Sequence, residues 1–169
     1  MPSSQQPAAA DELHMQRFKG LEVYGIDSAR WNLYMDDDPK GMNLCVRVEC
    51  SKAIKQFEDT QYVGGEPHWE LNLVQPVLDD SSLKARFEAT IPTSYDESRG
   101  GWITNFYFAS HEGSEKNRIE ILNRDGDRLL LRLTGEIIDV NHYDDSKPRS
   151  KVSVTTWFTK DEGTKRSMQ

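Results

Sequence analysis

The sequence lacks any apolar run that approaches the roughly 20 residues of a membrane-spanning helix. Its N-terminus, MPSSQQPAAADELHMQ, also lacks the basic start and the apolar core of a signal peptide. The 169 residues include only two cysteines and no Asn-x-Ser/Thr glycosylation site. These absences predict a cytoplasmic protein that has no membrane partner.

The two cysteines are predicted to be reduced and buried. Cys45 and Cys50 fall on one predicted strand, where their Cα atoms would be roughly 16 Å apart at ~3.3 Å per residue. This separation is too long for a disulfide bond. Cys45 alternates away from the apolar row, so it is the thiol to test for reactivity, although a small apolar side chain in a sheet is the simpler interpretation.

The motifs of several enzyme classes are missing as well. No GxSxG or SxxK nucleophile motif has a supporting context, and there is no HExxH or CxxC pattern. Aspartates cluster along the chain, but turn chemistry accounts for them, and none has the spacing of an EF-hand loop. The sequence therefore predicts no catalytic residue, no metal site and no cofactor.

Positive charge is in deficit. Lys and Arg number 21 against 28 Asp and Glu, which gives a net charge of −7. This balance disfavours nucleic acid as a partner and favours a basic protein. Mean hydropathy is low at −0.73, yet four Trp, six Tyr and six Phe supply large apolar side chains. We predict a modest core under a very polar surface.

The stretch 117–140 predicts a β-hairpin at the centre of the fold. Ile119 and Ile121 fall on one face of its first arm, and Leu129 and Leu131 fall on one face of its second arm. Burial of both rows on the same side requires Ile121 to pair with Leu129 and Ile119 with Leu131.

The turn of this hairpin is predicted to contain three residues, 124–126. A two-residue loop of Asp125 and Gly126 would place the apolar rows on opposite faces, so we reject it. Asn123 suits the first position of a type I turn, and Gly126 suits the left-handed position of a G1 bulge.

Other runs with alternating apolar side chains predict further strands. These runs are residues 19–26, 29–35, 43–50, 68–74, 83–91, 102–110 and 151–160. About nine short strands separated by turn residues, with no βαβ order, predict an all-β fold with little helix. We favour an antiparallel β-sandwich, with a closed β-barrel as the alternative. The single β domain covers residues 11–160, between a disordered tail at 1–10 and a polar tail at 161–169.

Some segments carry more specific expectations. Residues 11–18 are expected to form a short helical turn, and residues 51–59 either a short helix or an extension of the preceding strand. Residues 83–91 show the clearest alternation of apolar and polar side chains. Pro76 is expected to end its strand, and Trp102 is expected to face the core.

Two aromatic side chains are predicted to point outward from the sheet. Tyr107 and Trp157 alternate out of phase with the core residues beside them. They could form the apolar centre of a protein-binding patch, or they could pack under a loop that covers the sheet.

Polar candidates for binding come from the hairpin and from two histidines. Arg118, Arg128 and Arg132 fall on the outer face of the hairpin, where acidic residues interleave with them, so the face either binds an anionic partner or stays solvated. His68 and His142 stand beside aromatic residues and could line a pocket.

Two functional hypotheses follow. The first is a non-catalytic protein-binding module, of which an acidic immunity-type protein that neutralises a basic toxin enzyme is one version. The second is a small-molecule-binding or hydrolytic domain whose pocket is lined by Trp31, Trp69, Trp102 and nearby carboxylates. An exposed edge strand would also allow a homo-oligomer.

Overall fold

The computed structural model describes residues 9–35, 42–77 and 79–162. The first eight residues of the expected N-terminal tail, the turn expected at 36–41 and most of the expected C-terminal tail lie outside these ranges.

Nearly all of the regular structure in the described residues is strand. The strands are β1 (Ala10–Arg17), β2 (Gly20–Met35), β3 (Met42–Lys55), β4 (His68–Val77), β5 (Glu88–Ile91), β6 (Tyr95–Asp96), β7 (Gly101–Trp102), β8 (Thr104–Phe108), β9 (Ser110–Glu112), β10 (Glu115–Asp125), β11 (Arg128–Ile137) and β12 (Ser150–Lys160). One short 3₁₀ helix, Asp80–Ser82, precedes β5. The all-β prediction is confirmed.

Ten of these strands form one antiparallel sheet that is curled into a half-barrel. The strand order is β5-β10-β11-β12-β1-β2-β3-β4-β8-β9, and β6 and β7 form a separate two-stranded ribbon. The end of β12 also meets β2 in a short parallel contact. The curled sheet and its cluster of buried side chains are compatible with both the sandwich and the barrel alternative.

The core is formed by the inward face of the curled sheet. On β12, for example, Val152, Val154, Thr156 and Phe158 are buried, whereas Ser153, Thr155 and Trp157 between them are only partly covered. Trp31 and Trp69 are fully enclosed, and their indole N–H groups donate to the Asp127 carbonyl and to Ser114 Oγ, each at 3.0 Å. Both tryptophans are therefore core residues.

The predicted hairpin exists as β10 and β11, but its register differs from the prediction. Ile121 pairs with Leu131, and the loop consists of Gly126 and Asp127, because Asp125 pairs with Arg128. Gly126 has a φ of +58°, so it does take the predicted left-handed conformation. The hairpin also lies near one edge of the sheet rather than at its centre.

A β-bulge explains why the two-residue loop is compatible with one buried face. The register shifts between Ile121 and Asn123, so β10 contains one extra residue relative to β11. This extra residue restores the side-chain parity that a two-residue loop would otherwise invert. The bulge therefore lies in the strand at Leu122, and the G1 bulge predicted at Gly126 is absent from this hairpin.

Several segment predictions were wrong. Residues 10–17 form β1 and no helical turn, because Leu13, Met15 and Arg17 alternate inward. The strand at 83–91 is reduced to β5, since Arg86 has a φ of +75° and interrupts the extended chain. β4 continues through Pro76 to Val77. Residues 51–55 do extend the preceding strand, which was one of the two alternatives.

Neither cysteine forms a disulfide bond, and both are buried, as expected. Burial raises the pKa of the Cys50 thiol to about 12. Such a thiol stays protonated at neutral pH and is a poor nucleophile.

A buried ionic network joins β1 and β2 to two loops at one end of the sheet. The Arg17 guanidinium donates to Glu22 at 2.7 Å and to both carboxylate oxygens of Asp139 at 2.9 Å. Thr60 donates to Glu22 at 2.6 Å, and the Tyr24 hydroxyl donates to the same carboxylate. The side chains of Arg17, Glu22 and Asp139 are fully enclosed. Their charges are thus paired inside the protein.

Candidate binding cleft

A short ribbon formed by β6 and β7 projects from the sheet. Tyr95 pairs with Trp102 and Asp96 with Gly101. The turn between the strands is closed by Asp96, whose carboxylate accepts hydrogen bonds from the N–H of Ser98 at 2.9 Å and from its hydroxyl at 2.6 Å. Gly100 completes the turn with a φ of +65°, a conformation that favours glycine.

The ribbon is attached to the sheet by backbone hydrogen bonds on both sides. The N–H of Ile103 donates to Ser94 at 2.9 Å, and the carbonyl of Ile103 accepts from Asn72 on β4 at 2.8 Å. On the other side, the N–H of Lys116 donates to Pro92 at 3.0 Å. These bonds place the ribbon beside both β4 and β10.

The two aromatic side chains of the ribbon are exposed and held in a defined geometry. Trp102 is 70% exposed and Tyr95 41% exposed. Their ring centroids are 5.3 Å apart and their planes are inclined at 78°. A Cβ placed on Gly113 would lie 3.4 Å from the Trp102 ring, so the absence of a side chain there leaves room for the indole.

The ribbon forms one wall of a surface cleft of about 630 Å³. The lining residues are Thr93, Ser94, Tyr95, Asp96, Glu97, Ser98, Trp102, Ile103 and Glu115. Three of these nine side chains are acidic and none is basic. The cleft therefore combines two exposed aromatic rings with three carboxylates.

A second bulge directs Glu115 towards the cleft. The register of β10 shifts between Glu115 and Arg118, and Lys116 takes a φ of +50°. As a result, both Ser114 and Asn117 are buried although they have opposite parity in the sequence, and Glu115 is left partly exposed. Bulges commonly redirect side chains in this way beside functional sites.

Two of the three acidic side chains already have partners in the chain. The Asp96 carboxylate accepts the two bonds from Ser98 and lies 3.7 Å from Arg99. The Glu115 carboxylate lies 3.8 Å from Arg149. The third, Glu97, is exposed. These carboxylates contribute negative charge to the cleft, while the Trp102 ring is its most exposed large apolar surface.

The lining side chains suit binding better than nucleophilic catalysis. Hydroxyl and carboxyl groups are present, but none of the nine lining residues is a histidine, cysteine or lysine that could activate a hydroxyl. A cation is the ligand that this set of groups attracts, because both carboxylates and the face of an indole ring attract positive charge.

Tyr107 and Trp157 point outward as predicted, but the structure does not bring them together. Tyr107 is on β8 and Trp157 on β12, which are four strand spacings apart by the shortest path through the sheet. Both are half-buried. They do not form the centre of one common patch.

Each of these two aromatic residues is covered by neighbours in its own chain. The Tyr107 ring lies between His68, at 5.8 Å, and His111, at 4.8 Å between ring centroids. The Arg128 guanidinium lies over the Trp157 ring at 4.7 Å. The candidate residues His68 and Arg128 are thus neighbours of the candidate aromatics.

The remaining candidates of the hairpin and the loops make ion pairs. Arg118 pairs with Glu88, and both Arg118 and Arg132 approach Glu120, at 3.3 and 3.5 Å. These arginines form part of a mixed-charge surface, which was one of the two predicted alternatives.

His142 lies at the edge of the buried network rather than in a pocket of the kind predicted. Its Nδ1 is 2.8 Å from Asp139, and its ring makes an edge contact with Phe18 at 5.7 Å. Burial opposes ionisation of Asp139, but hydrogen bonds from Arg17, His142 and the backbone of Asn141 outweigh this effect and hold the pKa of Asp139 at about 2.

One of the two functional hypotheses placed Trp102 in a pocket with carboxylates, but sequence reasoning missed the ribbon and the exposure of Trp102 because it expected this residue on the core face with Phe106 and Phe108. The strand is interrupted at Ile103, and this interruption frees Trp102 from the parity of β8. The available signal was the segment YDESRGGW, in which two aromatics flank a run of turn residues. Such a run predicts a short hairpin closed by an aromatic pair.

Comparison with known proteins adds nothing to this geometry. No family model, curated protein or solved structure matches the chain. In the part of the chain that the structure describes, no three His, Cys, Asp or Glu side chains are grouped as a metal site requires. No helix among the described residues is long and apolar enough to span a bilayer.

Proposed function

We propose that this protein is a non-catalytic binding module that holds a basic segment of another protein in the cleft beside Trp102. The observation that carries the proposal is the 70% exposure of Trp102 in a cleft whose lining includes three acidic and no basic residues. Exposed tryptophan at a concave site is the residue type most often found at the energetic centre of protein interfaces.

The charge of the whole chain supports a basic partner. A net charge of −7 attracts cationic proteins at long range and accelerates their association. An immunity-type protein that neutralises a basic enzyme remains one concrete version of this proposal. A cytoplasmic location belongs to the same proposal and is supported by the two buried cysteines, neither of which forms a disulfide bond.

The proposal is tested by titrating the protein with an Arg/Lys-rich peptide in a calorimeter at low ionic strength. Trp102→Ala should weaken binding by about tenfold or more, the loss expected for an interface anchor. The matched control Trp157→Ala should leave the affinity unchanged. Equal affinity of wild type and Trp102→Ala would refute the assignment of the site.

A small organic cation is the second candidate ligand. The cleft volume of about 630 Å³ lies within the range of small-molecule sites. With such a ligand the protein would still be a binding domain, but its partner would be a metabolite instead of another protein. Tighter binding of free choline than of the peptide would favour this second candidate.

A further inference from the structure

Four aromatic rings elsewhere in the described chain have a lysine or arginine of the same chain over them. Arg128 lies over Trp157, Lys19 over Phe57 at 4.9 Å and Lys160 over Trp31 at 5.3 Å. Lys147 and Arg17 lie over Phe18, at 5.3 and 5.9 Å. Cation–π contact is therefore a recurrent way in which this chain covers its rings.

Trp102 departs from this pattern. Among the described residues, no lysine or arginine head group lies over the ring of Trp102 or of Tyr95. Because Trp102 is 70% exposed, at least one face of its indole is open to solvent. This open face is the position that a cation from outside the chain can occupy.

The nearby carboxylates are better placed to attract that cation by their negative charge than to accept hydrogen bonds from it. Asp96 already accepts two hydrogen bonds from Ser98, and it is near Arg99. Glu115 is near Arg149. At Asp96 and Glu115, a ligand that depends on N–H donors would have to compete for these oxygens, whereas a ligand recognised through the ring would not.

We propose that the cation bound on Trp102 is an N-methylated ammonium group, such as the side chain of trimethyl-lysine in the partner protein. This inference rests on the proposed function and specifies its ligand. A quaternary ammonium cannot donate hydrogen bonds and is weakly hydrated, so it loses little by leaving water and keeps the full attraction of the ring.

The geometry of the two rings fits such a group. The planes of Tyr95 and Trp102 are inclined at 78°, with their centroids 5.3 Å apart, so the rings form a corner rather than a flat platform. Methyl groups around a nitrogen can contact both walls of a corner. The acidic residues Glu97 and Glu115 then supply the negative field around the bound charge.

The test compares three synthetic peptides of identical Arg/Gly sequence. Their central residue is lysine, trimethyl-lysine or the neutral analogue of trimethyl-lysine with a tert-butyl group in place of the ammonium. We expect trimethyl-lysine to bind roughly threefold or more tightly than lysine, and the neutral analogue to bind more weakly than both. The preference for trimethyl-lysine should disappear in Trp102→Ala and persist in Trp157→Ala and Trp102→Phe.

The outcomes separate this inference from the proposed function. Tighter binding of the lysine peptide, with loss in Trp102→Ala, would overturn the inference and leave the proposed function standing. Equal binding of trimethyl-lysine and its neutral analogue would show that charge is not recognised and would overturn the inference as well. Failure of all three peptides to bind would reject both. Circular dichroism of each variant verifies that it is folded.

Discussion

Trp157 and Trp102 both lie on the surface of an antiparallel β structure, yet their environments are opposite. Trp157 is half-buried on β12 and is covered by Arg128 at 4.7 Å. Trp102 is 70% exposed in an acidic cleft, and no cation of the described chain covers it. The difference shows that this fold can cover an aromatic ring at its surface with a cation of the same chain, and that it does not do so at the cleft.

The same contrast exists between the two charged regions. In the buried network, Arg17 forms ion pairs with Glu22 and Asp139 at distances of 2.7–2.9 Å. In the cleft, no lining residue is basic, and the arginines beside Asp96 and Glu115 lie farther away, at 3.7 and 3.8 Å. Substitutions in the first region should therefore change stability, and substitutions in the second should change binding.

The largest effect is expected from Arg17→Leu. This change leaves the carboxylates of Glu22 and Asp139 enclosed without their counter-charge, which should lower the free energy of unfolding by about 3–5 kcal/mol. Urea denaturation measures the change. A loss below about 1 kcal/mol would mean that the network is not a structural centre of the fold.

A smaller loss is expected when the pH is lowered. The folded pKa of Asp139 is about 2, below its ordinary value of 3.8, so ionised Asp139 stabilises the fold above pH 4 and this contribution disappears as the pH falls through about 2. The contribution is on the order of 2 kcal/mol. The free energy of unfolding, measured by denaturation at several pH values between 5 and 2, should depend less on pH in Asp139→Asn than in wild type. Parallel pH profiles would contradict the assignment.

Gly113→Ala should change both the stability of the fold and the position of the Trp102 ring in the cleft. The added Cβ would overlap the side chain of Ser94 and lie 3.4 Å from the Trp102 ring. Overpacking of this kind costs about 1–3 kcal/mol and should also move the indole. Gly101→Ala is the matched control, since a Cβ at Gly101 meets no atom within 4 Å. Melting temperatures and tryptophan fluorescence of both variants check this prediction, and an equal response of the two would contradict it.

The smallest effect on stability is expected for Trp102→Ala. An exposed side chain away from the core contributes little, so the free energy of unfolding should change by less than about 0.5 kcal/mol. Trp157→Ala should cost more, about 1 kcal/mol, because it removes a half-buried ring and its contact with Arg128. A larger loss for Trp102 than for Trp157 would reverse the comparison.

Alternation in the sequence was sufficient to predict most of the long strands and the outward direction of Tyr107 and Trp157, but it missed β1 and overextended β5. It was insufficient wherever the chain adds a residue or interrupts a strand. The bulge at Leu122 changed the partners of Ile119 and Ile121, and the interruption at Ile103 turned Trp102 outward. Hydrogen bonds between distant segments decide both features, and periodicity within one segment does not contain that information.

The buried network was also outside the reach of local patterns. Arg17 falls at an inward position of β1, where an apolar residue is expected. It is compatible with burial only because Asp139, distant in sequence, comes to lie against it. Pairing of this kind depends on the tertiary fold.

The measurement that tests the central claim most directly is a fluorescence titration of the protein with the trimethyl-lysine peptide, carried out in parallel on wild type, Trp102→Ala and Trp157→Ala. Trp31 and Trp69 are enclosed in the core, so ligand binding in the cleft should alter mainly the emission of Trp102. We predict a saturable change in wild type and in Trp157→Ala that is absent in Trp102→Ala. A saturable change that survives Trp102→Ala and vanishes in Trp157→Ala would place the binding site on the sheet and contradict this account.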